Sequence, residues 1–188
     1  VERSRGLGDV YKRQGYGDSP YQSVSTFAGN PYFIDLEELI KKELLTKEEC
    51  EACDWGGSES YVDYEKIYLS RYKLLRKAYE KADLKTDPDY AEFLKEEKDW
   101  LQDYCLFMAI KNDQKGICWI DWPEELKDRH SKAVKEAEKE LAEEIEFYRF
   151  QQYCFTTQWR KLKAYANKKD ISIIGDVPIY VALDLSLI

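Results

Sequence analysis

Residues 171–181 read Ile-Ser-Ile-Ile-Gly-Asp-Val-Pro-Ile-Tyr-Val, almost continuously apolar and β-branched. A run of this kind marks a parallel strand buried on both faces. Such a strand needs a neighbour on each edge, and the chain offers at most one, at Tyr32-Phe33-Ile34. A long helical pattern precedes the run. Together they predict one repeat of a barrel or of an open α/β sheet, and a chain that is an incomplete piece of such a protein.

Most of what lies between is helical in pattern. Asp35 with Glu38 and Thr46 with Glu49 have the spacing of capping boxes that open two short helices. Leu36, Leu39, Ile40 and Leu44 share one apolar face. Trp55-Gly56-Gly57-Ser58 predicts a loop. Asp63 caps a helix whose stripe of Tyr64, Tyr68, Tyr72, Leu75, Tyr79 and Ala82, with Ile67, Arg71 and Leu74 alongside, predicts core. Asp87-Pro88 opens another, with Tyr90, Phe93, Leu94, Leu101, Tyr104, Cys105 and Met108 as one buried face and residues 112–116 as its stop. Two tryptophans around Ile120 and Asp121 predict a packed corner. Pro123 opens a short helix, and Ser131 starts a long helical stretch to about Lys168. Its first half, residues 132–146, is a solvated face of paired charges such as Glu136–Lys139 and Lys139–Glu143. Its second half is richer in Phe147, Tyr148, Phe150, Tyr153, Phe155, Trp159, Leu162 and Tyr165, as in a helix lying between other elements.

The formal net charge of −8 argues against a nucleic-acid backbone or an anionic membrane as partner. No apolar run approaches the roughly 20 residues of a membrane span, and no signal peptide opens the chain. Five cysteines at irregular spacing make no disulfide framework and suit a reducing cytoplasm. Cys50-x-x-Cys53 lacks the further ligands a zinc site needs and predicts two incidental thiols, so no metal and no cofactor are expected. His130, the only histidine, is expected at a helix end on the surface. Residues 1–14, with four Arg or Lys and no apolar periodicity, are foreign to the pattern that follows and resemble translated adapter sequence.

Residues 15–35 differ from all of this: Gly-Tyr-Gly-Asp-Ser-Pro-Tyr-Gln-Ser-Val-Ser-Thr-Phe-Ala-Gly-Asn-Pro-Tyr-Phe-Ile-Asp. Gly15, Gly17, Asp18, Ser19 and Pro20 make a turn that fixes Tyr21 above the backbone. Tyr16, Tyr21 and Phe27 either pack beneath the loop or form a platform for a flat, partly apolar ligand such as a pyranose ring. Ser19, Gln22, Ser23, Ser25 and Asn30 supply uncharged groups of the sort a sugar edge needs. Asp176 sits where the apolar run of residues 171–174 turns polar. It either fixes the turn of residues 175–178 or presents a carboxylate to sugar hydroxyls.

These blocks carry a resemblance. Residues 15–23, with Phe27-Ala28-Gly29-Asn30-Pro31, resemble the glucan-binding loop of the amylomaltases, the disproportionating 4-α-glucanotransferases. Residues 175–182, 119–123 and 150–167 are similar to further parts of that family, in the same order. The likeness runs from Gly15 to about Asp184. It implies that Tyr21 stacks on the glucose at the cleavage point, that Ser19 lies beside it, and that Asp176 binds the same sugar. It implies retaining chemistry on α-1,4-glucans, with a carboxylate nucleophile, an acid/base and a third aspartate on later strands. None of those three is in this chain, so it is expected to hold no catalytic residue and to be inactive alone.

The expected architecture is α/β, a fragment of a (β/α)8 TIM barrel with a mostly helical insertion subdomain. Residues 15–62 form a barrel part with the loop, 63–131 the helical insertion, and 132–184 a barrel helix and strand. Residues 1–14 and 185–188 are expected to be foreign ends. The expected partner is an α-1,4-glucan or maltooligosaccharide, in the cytoplasm. Two rivals stand beside this. One is a non-enzymatic helical interaction module built on residues 63–131, which needs an exposed apolar patch. The other is an α-glucan hydrolase of a related barrel family, whose choice of acceptor depends on residues outside this chain.

Overall fold

The helices begin where side chains can satisfy the first free backbone N–H groups. The computed structural model of the chain describes residues 25–57, 60 and 62–175. Asp35 accepts from the Glu37 N–H and opens α1 (Leu36–Lys41). Thr46 and Glu49 close the expected capping box on α2 (Lys47–Glu51). Asp63 accepts from the Lys66 N–H at the start of α3 (Tyr64–Lys81). Asp87 accepts from the Asp89 and Tyr90 N–H groups, with Pro88 in the first turn of α4 (Pro88–Glu96). Four more helices follow: α5 (Leu101–Asp113), α6 (Glu124–Lys127), α7 (Ser131–Glu140) and α8 (Ala142–Lys168).

Several helix ends share another device. Glu43, Lys115, Arg129 and Asp170 have positive φ, at 61°, 55°, 55° and 58°. In each case the next residue's N–H reaches back five positions: Leu44 to Leu39, Gly116 to Lys111, His130 to Glu125 and Ile171 to Ala166. The left-handed residue itself bonds three positions back, to Ile40, Asn112, Leu126 and Asn167. This is the Schellman arrangement, which ordinarily places glycine at the left-handed position. Here charged residues occupy it, against the steric cost of a Cβ.

Helix α8 is the wall shared by two apolar clusters. It gives Ile145, Tyr148 and Tyr153 to one, with Tyr90, Phe93, Leu101, Tyr104, Met108 and Trp122. It gives Phe147, Phe150, Cys154 and Phe155 to the other, with Ile34, Leu39, Leu74, Leu75 and Ala78. The expected helix between elements is therefore observed, although Leu162 and Tyr165 near its end are exposed. Polar ties seal its edges. The Tyr153 hydroxyl donates to Asp87 Oδ2 at 2.8 Å, so Asp87 caps α4 and anchors α8 together. The Tyr90 hydroxyl donates to Glu146 at 2.5 Å. The Arg76 guanidinium lies 3.6 Å from the Phe147 ring centre and also meets Glu144.

The structure corrects several expectations. Tyr32-Phe33-Ile34 is not a strand: residues Pro31–Phe33 form a 3-10 turn. Asn30 Oδ1 accepts from the Tyr32 N–H, and Pro31 holds a helical φ, which together outweigh the β preference of the three apolar residues. Glu38 does not complete a box with Asp35, because it pairs with Lys41 at 2.7 Å and Lys161 at 3.3 Å. The helix expected from Pro88 to about Lys111 is broken after Glu96, where Trp100 folds back and its indole N–H donates to Glu97 at 2.8 Å. The stretch from Ser131 is likewise divided at Leu141, whose ψ is 18°. The tyrosine stripe of α3 is core only in its second half. Tyr64 and Tyr68 are exposed, with the Tyr68 ring tilted against Tyr72 at 4.5 Å instead.

No extended strand occurs among the described residues. Residues 171–175, the described part of the expected buried strand, form no regular secondary structure, and Ile171 and Ile174 are exposed. They have no neighbouring strand among the described residues. The expected foreign ends lie outside the described residues. The tryptophan corner is as expected: Trp122 is buried on Phe107, and its indole N–H donates to the Ile117 carbonyl at 3.2 Å. His130 is exposed at the start of α7, also as expected.

Replacing one left-handed charged residue with glycine tests the helix-end device. Glu43→Gly is expected to stabilise the chain by about 0.5–1 kcal/mol, read as a raised urea midpoint at unchanged slope. A lowered midpoint would show that the Glu43 side chain contributes more than its backbone strain costs.

Candidate functional site

The described part of the distinctive loop, residues 25–35, is held by its own short side chains. Ser25 Oγ accepts from the Phe27 and Ala28 N–H groups at 3.1 and 3.2 Å. Asn30 caps the Pro31–Phe33 turn. Ser25 and Asn30 are buried, at 6% and 2% exposure, so both are corrected as sugar-facing groups: their oxygens serve the local backbone.

Helix α8 then grips this segment at a constant spacing. Gln152 accepts from the Gly29 N–H at 2.8 Å and donates to the Gly29 carbonyl at 3.1 Å. Gln158 repeats the pattern on Asp35, at 2.6 and 3.1 Å. Lys161 reaches Glu38 at 3.3 Å. All three pairs are separated by 123 residues, so the segment runs alongside α8 in a single register. A side-chain amide that binds both the N–H and the C=O of one residue does what a neighbouring strand would do. The approach is close enough to require glycine: a Cβ on Gly29 would lie 1.9 Å from the Phe155 ring.

Arg71 closes the other end of the segment, donating to the Ile34 carbonyl at 2.5 Å with its guanidinium 5.8 Å from the Trp55 ring centre. Burial pulls the Arg71 pKa below its ordinary range, and the guanidinium still stays charged. Gln152, Gln158 and Arg71 were not singled out in the sequence as loop anchors. The one signal was polarity out of place, the pair Gln151-Gln152 inside an aromatic run, and both are fully buried.

Ser19, Tyr21 and Asp176, the residues expected to grip a sugar, lie outside the described residues, as do Tyr16, Gln22 and Ser23. Of the three expected aromatic rings, Phe27 is described. It does not pack beneath the loop: it is 60% exposed and lies on Trp100 at 5.9 Å. Three of the thiols and the two most buried phenols with resolved shifts are poor nucleophiles. Burial pushes the Cys154 thiol up to about 12, and burial raises Cys105 and Cys50 as well. Burial, with a hydrogen bond to a carboxylate, raises the Tyr90 and Tyr153 phenols. No cluster of metal-ligating side chains occurs among the described residues.

Two measurements probe this arrangement. Gln152→Leu keeps the shape of the side chain but leaves the buried Gly29 N–H and C=O unpaired. It is expected to cost about 2–4 kcal/mol and to speed exchange of the Gly29 amide. Gln158→Leu, on a solvent-exposed pair, is expected to cost less than about 1 kcal/mol. Equal effects on urea midpoints would remove the clamp from its central role. Iodoacetamide at pH 8 is expected to modify Cys105 and Cys154 at least about a hundredfold more slowly in the native chain than in urea. Rapid native labelling of either would contradict the packing around α8.

A family profile described as 4-alpha-glucanotransferase matches residues 6–186. The 4-alpha-glucanotransferase of Clostridium butyricum is 47% identical over 171 residues, covering 91% of this chain and 35% of that protein. The Thermus thermophilus 4-alpha-glucanotransferase is 44% identical over 174 residues, covering 90% of this chain and 34% of that one. Among solved structures, the amylomaltase from Streptococcus agalactiae in complex with acarbose superposes with a TM-score of 0.86 at 35% identity, covering 93% of this chain and 36% of that one. The chain thus spans about a third of the length of the relatives it matches. On the breadth of the profile match and the level of identity, the chain belongs to the 4-alpha-glucanotransferase family.

Proposed function

We propose that this chain supplies the glucan-gripping part of a 4-α-glucanotransferase that passes α-1,4-glucan segments between maltooligosaccharides. The observation that carries the proposal is the 47% identity to the Clostridium butyricum relative across nine-tenths of the chain. The structural neighbour is in complex with acarbose, which supports a sugar ligand for the matching region here.

In this reading Tyr21 stacks on the apolar face of the glucose at the cleavage point, Ser19 lies beside it, and Asp176 accepts hydrogen bonds from that sugar's hydroxyls. The clamp from α8 fixes the base of the loop that carries Tyr21. The bond itself is broken by carboxylates that the rest of a family-length protein provides, through a glucosyl-enzyme intermediate that a second glucan's 4-hydroxyl resolves. Residues 171–181 become a strand of a (β/α)8 barrel once neighbouring strands lie beside them, and the helices of residues 63–131 wall one side of the groove. The chain alone is inactive. It works in the cytoplasm, a reading supported by five free thiols at irregular spacing.

A chimera tests this directly. The chain replaces the matching third of the Clostridium butyricum enzyme, and glucose release from maltotriose is measured. The chimera is expected to turn over, Tyr21→Ala and Asp176→Asn in it to lose at least about a hundredfold in kcat/KM, and the isolated chain to release nothing. Full activity of the Asp176→Asn chimera would overturn the assigned roles. Turnover by the isolated chain would overturn the division of labour.

A further inference from the structure

Phe27 is exposed yet held in one orientation. Its ring lies nearly parallel to that of Trp100, 22° apart with centres at 5.9 Å, and Trp100 is itself buried. The Phe27 N–H is tied to Ser25 Oγ. One side of the phenyl ring therefore rests on a fixed indole, while 60% of the residue remains open to water. Beneath it the contacts continue into a polar network. The Trp100 indole N–H donates to Glu97 Oε2 at 2.8 Å. Arg160 donates to Glu97 Oε1 at 3.0 Å and to Glu96 Oε2 at 2.6 Å. Arg160 and Glu96 are about half exposed. Two of the five guanidinium N–H groups are used in this way, and each carboxylate keeps lone pairs for further donors.

We infer that Phe27 is a glucan-binding platform: the exposed face of its ring takes one glucose unit of an α-1,4-glucan. The inference rests on the glucan reading above and deepens it by assigning a contact that is complete within the described residues. A glucose ring presents C–H groups on its faces and hydroxyls around its rim. One of those faces therefore matches an apolar flat surface such as the open side of the phenyl ring. Because Trp100 already fixes the phenyl ring, binding orders little that was free. A lone surface phenylalanine has no need of a stacked indole beneath it. A platform does.

Affinity electrophoresis of the whole 188-residue chain in native gels cast with and without soluble amylose tests the inference. The chain is expected to be retarded by amylose. Phe27→Ala is expected to weaken the apparent affinity about fivefold, and Phe27→Tyr to stay near the starting value. Phe27→Leu keeps apolar bulk without a flat face and is expected to lose about as much as alanine, roughly fivefold. Mobility in the amylose-free gel shows that each variant is folded. Retardation of the parent chain with no loss in Phe27→Ala or Phe27→Leu would overturn the platform and leave the glucan reading intact. A parent chain that amylose does not retard would remove recognition of glucan by this chain, and the platform with it.

Discussion

Everything in the loop region depends on one pairing, that of the Gln152 amide with both backbone groups of Gly29. A buried backbone N–H or C=O without a partner costs as much as a lost hydrogen bond, and often more. In residues 25–35 the N–H and C=O of Gly29 are two such buried groups. A glutamine on a fully buried stretch of helix provides their partner. The solution has a steric condition: Gly29 lies against the Phe155 ring, where even a methyl group would collide. The residue that makes the loop permissive is thus the one that lets it approach the helix.

The clamp depends on where α8 is held. Its position is fixed by two apolar clusters on different faces and by polar ties at their borders. Asp87 is the economical case, since one carboxylate oxygen caps α4 and the other receives the Tyr153 hydroxyl. The orientation of the loop is therefore inherited from packing far from it. The constant separation of 123 residues at Gln152, Gln158 and Lys161 carries that orientation along three successive contacts.

What could be read from the sequence follows from how local each interaction is. Thr46 with Glu49, Asp63, and Asp87 before Pro88 are decided within four residues, and all behave as their spacing implies. Tyr32-Phe33-Ile34 was misread because a neighbouring asparagine and proline overrode the preference of the three apolar residues. Glu38 leaves the box because Lys41, one turn on, and Lys161, far along the chain, both compete for it. The exposed Tyr64 and Tyr68 show that a periodic stripe fixes which side of a helix is apolar, but not how far along the helix a neighbour covers it. Ser25 and Asn30 were taken for ligand-facing groups when they are ligands of their own backbone. The glutamine clamp and the Phe27–Trp100 stack are contacts between distant segments, and periodicity within one segment carries no trace of them. Tyr21, Ser19 and Asp176 rest on the motif alone, since they fall outside the described residues.

The electrostatics of the described residues fit gripping better than cutting. A glycosidic bond is broken in this chemistry by two carboxyl groups about 5 Å apart, one ionised and one protonated near neutral pH. That demands a carboxyl group whose pKa is raised by burial or by a like charge. The carboxylates with resolved shifts here move the other way. Glu38 is lowered chiefly by its bond to Lys41, Glu49 by the Thr46 N–H, and Asp54 by Lys66. Each is stabilised as an anion by a donor that the fold supplies for structural reasons. Such groups hold helices and loops in place and have no proton to give to a leaving sugar. The Cys105 and Cys154 thiols and the Tyr90 and Tyr153 phenols are held protonated by burial. That is the division of labour expected if the reacting carboxylates belong to the remaining two thirds of a family-length protein.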